Sequence, residues 1–301
     1  MTQSPPAQSS ADMYENIFDT HAHYNDEAFN DDRDELLSSL PSKGVANIIN
    51  CGTTYETSVE SMKIAEKYPF AYFAAGIHPE DCGELDFSEV DRIKELLTHE
   101  KCVAIGEIGL DYHYTADTKE KQLIFFEKQL ILANEYDIPV IIHDRDAHGD
   151  TMELLKKHKP KGVLHCFSGS VETMKEAVSL GLYIGLGGAV TFKNARRPLE
   201  VAKEVPPDRL LLETDCPYMA PVPFRGKRND SSLIAYVAEV IAGVRGIGVQ
   251  DVIDMANGNA RRLFCTIGDL EKLFKKHQKN GIIEVSKERG KTRCNLVFLI
   301  E

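Results

Sequence analysis

The sequence predicts an α/β fold, a TIM-like (β/α)8 barrel with its site at the C-terminal ends of the strands. Three observations predict it. Eight short apolar runs, rich in β-branched residues, alternate with longer amphipathic stretches. Each run is nearly continuous in apolar residues, as expected of parallel strands covered on both faces. Polar residues suited to chemistry gather where these runs end.

The runs, in order, are "NIFDTHAH", "VANIINCG", "FAYFAAGIHP", "CVAIGEIGLD", "IPVIIHDRD", "GVLHCFSG", "GLYIGLGG" and "RLLLETDCP". Helix-patterned segments lie between them, among others over residues 33–43, 58–67, 119–136, 171–180 and 199–204. Strand, helix, strand, repeated, requires parallel strands joined by crossovers. An open doubly wound sheet is the rival fold. Its dinucleotide-binding version is weakened because no G-x-G-x-x-G follows the first run. The late "GLGG", Gly185–Gly188, has no phosphate-binding lysine and reads as a tight turn at a strand end.

The chain has 301 residues, 43% of them hydrophobic, enough for one large core. The opening "MTQSPPAQSSADMYE" is polar and rich in Ser, Pro and Gln, so residues 1–15 read as a disordered tail. Residues 16–265 read as the barrel. Residues 266–301 change character, with many lysines and a final "NLVFLIE", and read as an extension, a helix followed by a strand, of illegible role.

No apolar run is long enough to span a bilayer, and no leader pattern opens the chain. Seven cysteines, none in a C-x-x-C pair, argue against a disulfide framework and a cysteine zinc site. A reducing cytoplasm is the expected location. A net charge of −12 counts against a broad electrostatic grip on duplex DNA. A local basic patch, or a site whose cations reverse the sign, remains compatible with it.

The run ends carry the function. The first closes on His21 and His23, which share one face of a strand because side chains alternate. Two neighbouring imidazoles repel if both are protonated, and are comfortable if both are neutral and share a cation. His78, Glu107, His143, His165 and Asp215 stand at the ends of five other runs. One such histidine would read as a hydrogen-bonded structural residue. In a parallel barrel all these ends converge on one face. Imidazole plus carboxylate suits zinc, manganese or iron, and magnesium less naturally. Seven groups exceed the needs of one tetrahedral ion, so two divalent ions are inferred, with Glu107 the candidate bridge.

Together, "FDTHAH", "AAGIHP", "AIGEIGLDY", "IIHDRDA", "HCFSG" and "LLETDCPYMAPVPFRGKRN" resemble the TatD-type metal-dependent deoxyribonucleases of the amidohydrolase superfamily. The resemblance runs from about Ile17 to Phe264. It implies that His21, His23, Glu107 and Asp215 hold one metal, and that Glu107, His143 and His165 hold the second. The family often has serine where this chain has Asp144, so an extra carboxylate sits beside the site, at the metal rim or as a hydrogen-bond acceptor.

The implied function is metal-dependent hydrolysis of DNA phosphodiesters, of 3′-5′ exonuclease type, by water that two metals activate. Asp215, with Glu107, is the expected catalytic carboxylate. His78 and Arg145 are expected to touch phosphate, although His78 reads equally as a core histidine. Arg225, Lys227 and Arg228 of "FRGKRN" read as backbone-phosphate contacts, against the plainer reading of a solvated basic turn. Glu213 and Asp111 are expected to orient ligating histidines. A carbonyl hydrolase on the same site (lactonase, amidase or aminoacyl-ester deacylase) is the rival activity. A metal-bearing partner-binding protein without catalysis is a further rival. The DNA form, single-stranded or damaged, and the oligomeric state are not legible.

Overall fold

The structure, a computed structural model, describes residues 14–264 and the backbone of two later strands, 283–288 and 291–296. Eight strands follow one another around a single sheet: β1 (Ile17–Ala22), β2 (Val45–Cys51), β3 (Ala71–Ala75), β4 (Cys102–Asp111), β5 (Val140–Arg145), β6 (Gly162–Leu164), β7 (Tyr183–Leu186) and β8 (Leu210–Leu212). Their order in space is their order in the chain, every neighbouring pair is parallel, and they form a nearly closed TIM-like barrel. Outside them run α1 (Arg33–Ser39), α2 (Tyr55–Lys67), α3 (Glu89–Leu96), α4 (Lys119–Tyr136), α5 (His148–His158), α6 (Val171–Ser179), α7 (Arg196–Glu204), α8 (Ile234–Arg245) and α9 (Val249–Leu263).

Strand periodicity sorts the core into an inside and an outside. Phe18, Ile49, Ala74, Val103, Ile141, Val163, Tyr183 and Leu211, one from each strand, form a cluster with Ala260 and Phe264 at the end of α9. Their neighbours along the strands, such as Ile17, Ile48, Phe73, Val140 and Ile184, join the larger cluster beneath the helices. Local chemistry sets the helix starts. Thr54 and Thr57 cap α2 reciprocally, and the Ser170 hydroxyl caps α6. Gly44 turns the chain into β2 at φ 81°, where a side chain would also meet the Tyr14 carbonyl. Tyr14 packs on the core, and the Glu15 amide donates to Gln250, both within the segment expected to be a loose tail.

The barrel closes through residues beyond β8. Asp215 N–H donates to the His21 carbonyl at 2.9 Å, and His23 N–H donates to the Cys216 carbonyl at 2.8 Å. Between them the buried Asp19 carboxylate substitutes for backbone, accepting from Thr214 N at 3.0 Å and Thr214 Oγ1 at 2.6 Å. This seam brings Asp215 beside the two histidines of β1. Asp215 itself sits at φ 58°, a left-handed position that aspartate tolerates better than most residues.

A sequence expectation changes. The residues 185–188 are not one turn: Gly185 lies within β7, where a Cβ would stand 2.3 Å from Glu213 Oε2. The glycine is there to make room for a carboxylate. The helices α3, α5, α8 and α9 were not singled out individually in the sequence. The α8 sequence "IAYVAEVIAGVR" is too evenly apolar to show a helical period.

The chain divides into two units, Met1–Phe264 and Cys265–Glu301. In the second, β9 (Ile283–Glu288) and β10 (Lys291–Leu296) pair antiparallel, with Ile283 opposite Leu296 and Glu288 opposite Lys291. The described part of the extension is thus two strands rather than one. The helix expected before them lies outside the described residues, as do residues 1–13 of the tail. No single helix among the described residues is long and apolar enough to cross a membrane.

Candidate metal centre

Glu107 stands in the middle of β4 and is buried. Its two carboxylate oxygens face different groups. Oε2 lies 3.2 Å from His21 Nε2 and 3.4 Å from His23 Nε2. These imidazoles approach Asp215 Oδ1 at 3.7 and 3.5 Å, and their own Nε2 atoms are 2.9 Å apart. Oε1 lies 2.6 Å from His165 Nε2, 3.0 Å from His143 Nδ1 and 3.4 Å from His78 Nε2.

Both groups fit a cation. Donors about 2.1 Å from one tetrahedral ion sit roughly 3.4 Å from each other. The observed spacings straddle that value, and the donors are the nitrogen and carboxylate oxygen atoms that borderline divalent ions prefer. His21, His23 and Glu107 form one such set, His21, His165 and Asp215 another, and His78, Glu107 and His143 a third. Access is from the side of Asp215 and His143, whose side chains are 19% and 17% exposed, while His21 is sealed.

Surrounding groups fix each ring. His23 Nδ1 donates to the Cys51 carbonyl at 3.0 Å, which turns its Nε2 lone pair inward. His143 Nε2 bonds Asp111 Oδ2 at 3.0 Å, leaving Nδ1 for the centre. Asp111 Oδ1 accepts from the amides of His113 and Tyr114. His165 stacks on His21, ring centres 3.9 Å apart. Glu213 Oε1 accepts from the Cys166 amide and lies 3.7 Å from His165 Nδ1. His78 differs. Its Nδ1 accepts from the Glu80 amide at 3.2 Å, so in a neutral ring the proton sits on Nε2, facing Glu107. That nitrogen is a donor rather than a lone pair.

The electrostatics express a demand for positive charge. Burial opposes ionisation of Glu107, yet His165, His21 and His78 hold its carboxyl well below the usual range. Burial opposes protonation of His23, but hydrogen bonds to Asp215 and Glu107 lift it to about 10. His143 rises to about 10 against its own burial, through Asp111 and Glu107. Burial drops His21 to about 4. Burial also pushes the Glu213 carboxyl up to about 8. His23 and His143 therefore carry, in the metal-free chain, protons that a cation would replace, and Glu107 raises His165 in the same direction.

The other sequence candidates lie around this centre. Arg145 is exposed and its guanidinium lies 4.7 Å from the Tyr114 ring centre. Arg225 lies 4.3 Å over Phe192. Lys227 lines an open cleft of about 670 Å³ with Tyr218 and Asp26. Arg228 is engaged within the chain: its terminal nitrogens grip Asp32 at 2.7 and 2.6 Å, and one also meets the Ala28 carbonyl at 2.8 Å. It ties the loop to the turn after β1. Asp144 accepts from His148 Nδ1 at 2.6 Å, so the extra carboxylate serves α5. Sequence reasoning missed Asp19, two residues before His21; past the register shift in β1 its carboxylate faces Thr214 and Ser231 rather than the centre.

A barrel with an imidazole–carboxylate cluster at the C-terminal ends of its strands defines a metal-dependent hydrolase. The family described as TatD related DNase matches residues 18–265, and the chain belongs to it. It is 44% identical over 251 residues to the uncharacterized metal-dependent hydrolase YabD of Bacillus subtilis, covering 82% of this chain and 98% of that protein. It is 35% identical over 258 residues to the 3′-5′ ssDNA/RNA exonuclease TatD of Salmonella typhimurium, covering 82% and 98%. Among solved structures, YJJV, a TatD homolog from Escherichia coli, matches with a TM-score of 0.79 and 33% identity, over 83% and 98% of the two chains. The structural likeness agrees with the barrel fold described above.

Proposed function

We propose that this hydrolase cleaves phosphodiester bonds of nucleic acid strands, DNA foremost, in the 3′-5′ exonuclease mode. The observation that carries the reading is Glu107, which addresses a different donor set with each oxygen. Two divalent ions fit: His21, His23, Glu107 and Asp215 would hold one, and Glu107, His143 and His165 the other. Zinc or manganese suits these donors best, with magnesium possible. Bound there, such a pair acidifies water and offsets charge on a phosphate.

The residues divide the remaining work. Asp215 is partly exposed at the mouth and stays ionised beside the imidazoles, so it can orient a water and take its proton. His78 presents Nε2–H and can donate to a phosphate oxygen. Asp111 holds His143 in place, and Glu213 lies behind His165. Arg145, Arg225 and Lys227 are exposed cations around the mouth of an acidic protein, and they favour an anionic substrate. The name of the Salmonella relative supports the same substrate class. Five described cysteines are free thiols, in keeping with a reducing compartment such as the cytoplasm.

A carbonyl hydrolase is the competing reading, since the same centre can attack an ester or lactone carbon. Metal-loaded protein is assayed in parallel on single-stranded DNA and on a panel of esters and lactones. Strand shortening with an inert panel supports the proposal. Panel turnover with intact strands overturns it.

A further inference from the structure

Two tyrosines stand apart from the other large hydrophobic side chains among the described residues. Tyr114 is 61% exposed and Tyr218 57%, the highest values of that group. Both hang from carboxylate residues of the metal centre. The Tyr114 amide donates to Asp111 Oδ1 at 2.7 Å, the same carboxylate that holds His143. The Tyr218 amide donates to the Asp215 carbonyl at 2.9 Å.

Topology sets them on opposite sides of the barrel mouth. Tyr114 follows β4 and Tyr218 follows β8, and in a barrel ordered β1 to β8 these strands lie on opposite walls. The centre lies between, since Glu107 comes from β4 and Asp215 from beyond β8. Both rings are held in place. Tyr218 Oη donates to Asp26 at 2.9 Å, and Tyr114 lies against the His113 ring and the Arg145 guanidinium. Exposed aromatic rings beside a nucleic-acid phosphate site are suited to stacking on bases, since every base has a flat face.

We propose that Tyr114 and Tyr218 are the specificity-determining platforms of this site, each stacking on one of the two nucleobases that flank the scissile phosphate. This rests on the phosphodiesterase reading above and names its substrate form: a single strand whose bases are unstacked. Duplex bases offer no free face to such rings, whereas a strand end does. A small lactone or amide has no second ring for the opposite wall.

The test crosses protein and substrate changes. Metal-loaded wild type, Tyr114→Leu and Tyr218→Leu are given an end-labelled single strand, and the same strand with an abasic nucleotide at the 3′ terminus or next to it. Each Leu variant should raise KM by roughly tenfold or more, the range of losing one base stack. It should also no longer discriminate against an abasic residue at one of the two positions, while Tyr114→Phe, which keeps the ring, keeps the wild-type KM. Both Leu variants retaining the wild-type KM and its full abasic penalty would overturn the platforms and leave the phosphodiesterase reading standing. Wild type that leaves every strand intact while turning over esters overturns both.

Discussion

His21 and His23 meet nitrogen to nitrogen, with their Nε2 atoms 2.9 Å apart and Glu107 Oε2 within 3.4 Å of each. Two imidazoles at this distance share either a proton or a cation. The bond from His23 Nδ1 to the Cys51 carbonyl leaves an inward lone pair, and the neighbouring carboxylates favour the cation. His21→Ala should therefore lose about one equivalent of metal, and Glu107→Ala close to both, because each Glu107 oxygen faces a different one of the two proposed sites. Elemental analysis of purified protein reads this directly. Full metal content in Glu107→Ala would contradict the bridge.

Metal uptake should depend on pH in a defined direction. In the metal-free chain His23 and His143, both lifted to about 10, hold protons that binding must expel. Apparent affinity should thus rise with pH between about 6 and 9, by about tenfold per unit for each proton released. Calorimetric titration in buffers of different ionisation enthalpy counts those protons, and two or more are expected, since Glu107 raises His165 as well. A pH-independent affinity would show that the carboxylates do not hold these imidazoles protonated.

His78 separates two roles. Because its Nδ1 accepts the Glu80 amide, its Nε2 carries a proton and serves as a donor. His78→Ala should keep its metal while kcat falls by about 100-fold or more, the scale of losing one charge-stabilising donor. If a metal equivalent disappears as well, His78 is a ligand and the proton is elsewhere.

Gly185→Ala tests the buried side of the site. The new methyl would arrive 2.3 Å from Glu213 Oε2, and Glu213 is fully buried with His165 beside it. Overpacking of this kind costs about 1–3 kcal/mol. Urea denaturation should show the loss, accompanied by weaker metal binding through His165. Unchanged stability would mean that the carboxylate has room to turn aside.

The barrel was legible because parallel strands buried on both faces leave continuous apolar runs, such as "CVAIGEIGLD" and "IPVIIHDRD". The metal-site candidates were legible for a related reason: imidazoles and carboxylates at such positions have few structural uses. What stayed hidden depends on pairing across the chain. Nothing local in Arg228 reveals that Asp32, far off in sequence, will take its guanidinium. Nothing in "GLGG" reveals that the first glycine yields its space to Glu213. Asp19 escaped notice because its donors, Thr214 and Ser231, come from beyond β8, far along the chain. Strand ends were also misplaced: β8 stops at Leu212, and Asp215 reaches the centre through the seam with β1.

The most direct test of the central claim is metal-dependent strand cleavage. The protein is stripped with chelator, then given Mg²⁺, Mn²⁺ or Zn²⁺ and an end-labelled single-stranded DNA. The account predicts stepwise shortening from the 3′ end that requires added metal and is absent in His21→Ala. An intact strand under every metal, despite stoichiometric metal uptake, would contradict it.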